Sequence, residues 1–211
     1  DPEMSRGLGD VYKRQTSLLV NHILQTEKWT SPELFETKNR IYTFLNPVSY
    51  LIALENKSLF EQFDGIFADG SLLVSAIRLV YGKRVTRRSF DMTSLAPELL
   101  NYLMESRKTL YIVASGQEQV ECSVRIFQEQ YPELRIAGFR NGYFSSDAEM
   151  NKEASHIVEL NPDFLIVGMG ALMQEKFLLK VKKMGYQGIG FTCGGLSLIH
   201  ISEPTRHLRI S

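Results

Sequence analysis

Apolar positions along this chain recur with two periods, and the two alternate from end to end. Spacings of three to four predict helices over Ser17–Glu27, Val48–Gln62, Ser71–Val80, Ser94–Ser106, Gln117–Glu129, Ala148–Leu160 and Met173–Met184. Between them, short apolar runs predict strands over Ile41–Leu45, Gly65–Ala68, Leu110–Ala114, Arg135–Gly138, Phe164–Val167 and Gly188–Phe191. Asn46-Pro47, Asp69-Gly70, Ser115-Gly116, Asn141-Gly142 and Gly168–Gly170 punctuate the strand ends. Strands alternating with helices imply βαβ units, hence one α/β domain with a mostly parallel sheet and helices on both faces. No internal repeat, low-complexity linker or sustained heptad interrupts the pattern.

The stretch Asn161–Phe177, NPDFLIVGMGALMQEKF, concentrates the chemistry of such a fold. A buried-strand run breaks at Gly168 and Gly170, and a helical pattern follows with Gln174 and Glu175 in its first turn. Ligands of open α/β sheets bind at that kind of crossing. Glycines let backbone approach a ligand closely, and a helix N-terminus offers unpaired N–H donors to anions. Counting G-x-G-x-x-G from Gly168 places Met173 where the third glycine belongs, which argues against a dinucleotide.

Both ends of the chain read as foreign. A DNA sequence able to encode Ser5–Gln15 has a reverse complement that translates to Leu196–Arg206, as in a transposase-type sequencing adapter carried into the reading frame. Residues 1–15 and 196–211 are therefore expected to be non-native tails around a fragment, Thr16–Gly195. Balanced charge, with 24 basic and 24 acidic residues, gives no general attraction to nucleic acid. Cys122 and Cys193 form no CxxC and read as reduced, buried thiols, with the cytoplasm as the default compartment. No apolar run approaches the ~20 residues that span a bilayer. His22 and His156 lie alone on helices, no metal-ligand spacing occurs, and no D-x-D is present to hold a divalent ion under a nucleotide diphosphate.

Each polar residue at a strand end has two readings. Asp69, with Gly70, is a turn former or a carboxylate placed to act as general base. Asn46 caps the next helix or contacts substrate. Lys83, Arg84, Arg87 and Arg88 are a solvated run or a diphosphate clamp of planar guanidinium groups. Tyr143 is core or stacks a base, and Gln174 and Glu175 are first-turn dipole partners or site residues.

Ala68–Gly70 (ADG), the basic loop ending in Ser89–Met92 (SFDM), Asn141–Phe144 (NGYF) and Gly168–Phe177 (GMGALMQEKF) occur in a family's order. Across Thr16–Gly195 the chain resembles the WecG/TagA/CpsF glycosyltransferases. The resemblance implies a Rossmann-like fold and transfer of an N-acetylmannosamine-type or related hexose from a UDP-sugar to a polyprenyl-diphosphate-linked saccharide. It implies inversion, no metal or cofactor beyond the donor substrate, and a place in bacterial surface-polysaccharide synthesis. It also implies peripheral attachment to the inner face of the cell membrane through a C-terminal appendage that the tail replaces, and allows a homo-oligomer. A strand before Thr16 is expected to be missing as well.

Carried over by motif, Asp69 matches the catalytic base, Gln174 the active-site glutamine, Tyr143 the tyrosine of G-Y-F and Asn46 the asparagine after the first strand. Gly70, Gly168 and Gly170 fall at the substrate. The functional arginine falls on Arg87 if one residue is deleted before Ser89, with Arg84 and Arg88 left open. Phe44 stands where the family often has threonine, and Leu172-Met173 replaces a usual Pro-Lys. Mechanistically this implies a single displacement, with Arg87 and backbone donors near Gly168–Gln174 meeting charge on departing UDP. An epimerase-type Rossmann enzyme would want a dinucleotide fingerprint and Tyr-x-x-x-Lys, and neither occurs. A non-catalytic nucleotide-binding module would scatter Asp69, Arg87, Tyr143 and Gln174 instead of lining one cleft with them.

Overall fold

Buried apolar runs become strands here because a parallel sheet covered on both faces tolerates no polar side. The computed structural model describes residues 18–194, so the two expected tails lie outside the described residues. Six strands, β1 (Arg40–Leu45), β2 (Gly65–Ala68), β3 (Thr109–Ala114), β4 (Arg135–Arg140), β5 (Phe164–Gly168) and β6 (Ile189–Thr192), form one sheet in the order β2-β1-β6-β5-β3-β4. Every pairing is parallel. The expected α/β, Rossmann-like architecture is the one observed, and all six strands fall where the sequence predicts them.

Side chains alternate between two cores, as the pleat requires. Ile41, Leu45, Tyr111, Val113, Leu165 and Val167 face one layer. That layer contains α1 (residues 18–26), α3 (Pro47–Glu55), α4 (Lys57–Phe60), α5 (Ser71–Tyr81), α8 (Asp147–Leu160) and α9 (Met173–Lys183). Tyr42, Phe44, Leu110, Ile112, Phe164 and Ile166 face the other, built from α2 (Ser31–Glu36), α6 (Leu95–Ser106) and α7 (Gln117–Gln130). Phe44 is buried against the rings of Phe67 and Phe90, so the residue that replaces the family's threonine is core.

Two helical expectations change. The run Val48–Gln62 is two helices, because Asn56 leaves helical geometry (φ −117°, ψ 36°) and its side-chain amide donates to the Ile52 carbonyl at 2.9 Å. Asparagine offers the backbone that local alternative. The short α2 was absent from the periodicity, although Thr30 and Glu33 close a capping box at its start, Thr30 N donating to the Glu33 carboxylate at 2.6 Å. Cys193 is buried as expected, whereas Cys122 is only half-buried, and both are free thiols. Among the described residues no helix is long and apolar enough to cross a membrane.

Candidate functional site

All the strands point their carboxyl ends to one edge, and the candidate residues follow those ends. A cavity of about 780 Å³ opens there against β3, β4 and β5, lined by Ser115 and Gly116, Gly142 and Tyr143, and Gly168 and Gly170. The first residues of α7, α8 and α9 converge on it through Gly116, Ser146 and Met173. Three helix N-termini aim backbone N–H groups and positive dipole ends at one space, which favours an anionic ligand. Glycine is required at two points of the rim. A Cβ on Gly168 would stand 2.8 Å from Cys193 Sγ and 3.1 Å from the Ala114 Cβ, and Gly170 has φ +85°.

A second cluster stands at β2. Asp69 follows the strand, its backbone N–H bonded to the Leu45 carbonyl at 2.8 Å. Its carboxylate faces Arg87, with Nε at 3.7 Å from Oδ1, and the same guanidinium reaches Asp91 Oδ2 at 2.8 Å. Burial pushes the Asp69 carboxyl above the usual range, Arg87 draws it down, and Asp91 pushes it up. Asp91 itself is lowered: burial raises it, but hydrogen bonds from Thr93 and Ser89 and the charge of Arg87 outweigh that. Ser89 Oγ donates to Asp91 Oδ2 at 2.7 Å, fixing the carboxylate that holds Arg87.

Between cavity and cluster runs a buried polar line. Glu175, 0% exposed by side-chain packing between β1 and α9, accepts from Thr43 Oγ1 at 2.8 Å, Gln174 Nε2 at 2.9 Å and Leu172 N at 2.7 Å. Thr192 Oγ1 on β6 donates to Thr43 Oγ1 at 2.8 Å. Burial pushes the Glu175 carboxyl up, and the hydrogen bonds from Gln174, Thr43 and the backbone oppose it. Gln174 is 4% exposed, and its Oε1 has no hydrogen-bond partner. Glu175→Ala, which strands three buried donors, is expected to cost about 2–4 kcal/mol of stability. Urea unfolding of purified protein checks this through the midpoint, and an unchanged midpoint would show that the donors find other partners.

The three arginines separate in space. Arg87 meets Asp69. Arg88 is fixed elsewhere, donating to the Trp29 carbonyl at 2.7 Å with its guanidinium 5.2 Å from the Phe67 ring centre. Arg84 borders a surface hollow with Lys83 and Glu27. The expected diphosphate clamp is therefore not one cluster, and neither Lys83 nor Arg84 lines the cavity. Asn46 does what a cap does: its Oδ1 accepts from Val48 N at 3.0 Å and Ser49 N at 2.9 Å. Gly70, with φ +92°, turns the chain from β2 into α5 beside Asp69. Tyr143 is 74% exposed at the cavity mouth, not core.

Asp69, Arg87, Tyr143 and Gln174 thus share one edge but not one cavity, so the single cleft expected of them is not found, and only their common edge distinguishes them from a scattered set. Among the described residues β2 and β4 are the two edge strands, so about 4.8 Å per strand puts Asp69 roughly 24 Å from the end of β4 and roughly 14 Å from that of β5. Sequence reasoning missed Asp91, which lay inside the motif SFDM, and the serines at the starts of α7 and α8. Only their position before a helix marked these serines. Among the described residues no three His, Cys, Asp or Glu side chains gather as a metal site would need.

The family described as "Glycosyl transferase WecG/TagA/CpsF family" matches residues 22–203. A Shigella boydii protein named UDP-Gal:alpha-D-GlcNAc-diphosphoundecaprenol beta-1,4-galactosyltransferase is 30% identical over 176 residues, covering 83% of this chain and 70% of the relative. Two proteins named N-acetylglucosaminyldiphosphoundecaprenol N-acetyl-beta-D-mannosaminyltransferase are each 23% identical. One, from Bacillus subtilis (strain 168), covers 74% of this chain and 60% of the relative. The other, from Bacillus spizizenii (strain ATCC 23059 / NRRL B-14472 / W23), covers 77% and 62%. The chain spans about two thirds of the length of these relatives. The chain belongs to the WecG/TagA/CpsF family of glycosyltransferases.

Proposed function

We propose that the full-length protein transfers a hexose from a UDP-sugar to a hydroxyl of N-acetylglucosaminyl-diphospho-polyprenol, with inversion, without a metal ion, at the cytoplasmic membrane surface. The observation that carries this is a half-buried carboxylate, Asp69, paired with Arg87 on the same sheet edge as a cavity ringed by three helix N-termini. The cavity suits the nucleotide diphosphate, whose charge the N-termini of α7, α8 and α9 meet. Tyr143 at its mouth offers a ring to the base. The sugar then extends toward β1 and β2, past Gln174, to Asp69.

In the reaction Asp69 takes the proton of the acceptor hydroxyl while that oxygen bonds to the anomeric carbon. The bond from that carbon to the UDP oxygen breaks on the opposite side, its electron pair leaving on the diphosphate. Arg87 and the N–H groups of the helix starts offset that charge without a cation. The β linkages in all three relatives' names are what such a displacement gives from an α-linked nucleotide sugar. The greater similarity to the galactosyltransferase places UDP-galactose first among donors to try, ahead of UDP-N-acetylmannosamine.

Incubation of the full-length protein with each UDP-sugar and a short-chain GlcNAc-diphospho-polyprenol, read by mass spectrometry and proton NMR, tests this. A β-linked disaccharide lipid whose formation persists in EDTA is expected. UDP binding with no transfer from any UDP-hexose would instead support a non-catalytic nucleotide-binding module.

A further inference from the structure

We infer that Glu175 is a positioning residue that sets the polarity of Gln174, so that the Gln174 carboxamide meets the transferred sugar as a hydrogen-bond acceptor for one of its hydroxyls. This rests on the donor path proposed above, in which the sugar passes Gln174 between the cavity and Asp69. A primary amide is ambivalent, with a donor at one end and an acceptor at the other, and nothing in glutamine itself says which end faces a ligand. Here the neighbour decides. Glu175 takes Gln174 Nε2 on Oε1 at 2.9 Å, and the same oxygen takes Thr43 Oγ1 at 2.8 Å. Its other oxygen takes Leu172 N at 2.7 Å. A carboxylate so placed accepts only, so the amide nitrogen is held on Glu175 by one N–H and Oε1 is the end of the carboxamide left without a partner.

That end is buried and unpartnered, which is the costly condition for a polar atom and the one a ligand donor relieves. Its place in the fold says what kind of donor. Gln174 stands in the first turn of α9, next to Met173 and four residues after Gly170, both of which line the cavity, and its backbone N–H donates to the Gly170 carbonyl at 3.1 Å. Through Glu175 and Thr43 it is joined to β1, the strand next to β2 and Asp69. A group between a diphosphate and a base that receives the acceptor's proton is the sugar, and a sugar's donors are its hydroxyls. A phosphate oxygen, which only accepts, gains nothing from a carbonyl, which also only accepts.

Glu175→Gln supplies the decisive change. The oxygen of the new amide is held by the immovable Leu172 N–H, its nitrogen turns toward Gln174, and the Gln174 carboxamide flips, so that NH₂ takes the place of the unpartnered oxygen. A fluorine in place of a hydroxyl accepts weakly and never donates. The full-length protein is therefore assayed with UDP-galactose and its 3-, 4- and 6-deoxyfluoro analogues, or the matching UDP-N-acetylmannosamine set if that is the donor turned over. Any electronic effect of fluorine is common to the enzymes compared and cancels in the ratio.

In the parent enzyme one position is expected to favour hydroxyl over fluorine by roughly 10- to 100-fold in kcat/KM beyond the others. In E175Q that preference collapses toward parity. In the exchanged pair Q174E/E175Q it returns, because the amide at position 175 now donates to the carboxylate at position 174, whose second oxygen is left as the unpartnered acceptor. If E175Q yields no folded protein, the exchanged pair decides alone, retained preference supporting the inference and lost preference overturning it. Folded E175Q with the parent's hydroxyl preference would reduce Glu175 to a structural residue. Gln174→Leu with unchanged kcat/KM for every donor would instead overturn the proposed donor path, a result distinct from the first.

Discussion

Asp69→Asn in the full-length protein is expected to lower kcat by roughly 10²–10⁴-fold while UDP affinity stays within a few-fold of the parent's. The two halves of this expectation come from different parts of the structure. Loss of turnover follows from Asp69 being the carboxylate at the ligand edge that burial holds above its ordinary range, the condition that makes a better base near neutral pH. Unchanged UDP affinity follows from distance, since the cavity lined by Gly168 and Gly170 is three strands away from β2. Asparagine keeps the shape, and Asp91 still holds Arg87 at 2.8 Å, so the local fold is preserved. Single-turnover transfer measured beside calorimetric UDP titration separates the halves. Parent-like turnover would remove Asp69 from the chemistry, whereas a large loss of UDP affinity would make it a binding group.

The fold was legible because five of its six described strands are buried, β4 alone alternating between exposed and half-buried positions. Runs such as Phe164–Val167 and Leu110–Ala114 are apolar without alternation, which only a covered sheet explains. The order of the strands was not legible. Nothing in Ile189–Thr192 announces that it inserts between β1 and β5, yet that insertion sets Thr192 beside Thr43 and completes the polar line under Gln174. The division of Val48–Gln62 escaped for a related reason: Phe60 and Phe63 continue the apolar stripe into the core, while the break depends on one asparagine's backbone.

At the candidate site, motif order named residues but not their partners. The register among Arg84, Arg87 and Arg88 is a matter of which guanidinium already has an occupation, and the Phe67 ring and the Trp29 carbonyl take Arg88. The choice between cap and contact for Asn46 turns on hydrogen bonds that any N-cap asparagine would make. The expectation of a single cleft came from treating loops at strand ends as neighbours. In a six-stranded parallel sheet the loops after the two edge strands are the farthest apart.

Arg87→Ala and Asp91→Asn are expected to move the acid limb of the pH–kcat/KM profile in opposite directions. A general base works ionised, so activity falls as pH drops through the Asp69 pKa, which burial places above the usual carboxylate range. The Arg87 charge, 3.7 Å from Oδ1, favours the ionised form. Without it the pKa rises further and the limb moves to higher pH. Asp91 disfavours the ionised form and also draws the Arg87 guanidinium toward itself. Removing its charge ends the repulsion and leaves Arg87 to Asp69, so both changes lower the pKa and the limb moves to lower pH. The plateaus differ as well. Arg87→Ala should lose roughly 10²-fold in kcat even where Asp69 is fully ionised, because the proposed reaction also uses its charge against the departing diphosphate. Asp91→Asn should keep most of the parent plateau. Profiles of parent and both variants on one acceptor lipid decide the matter. Limbs that shift together, or not at all, would mean that the titrating group is not the carboxylate these two neighbours share.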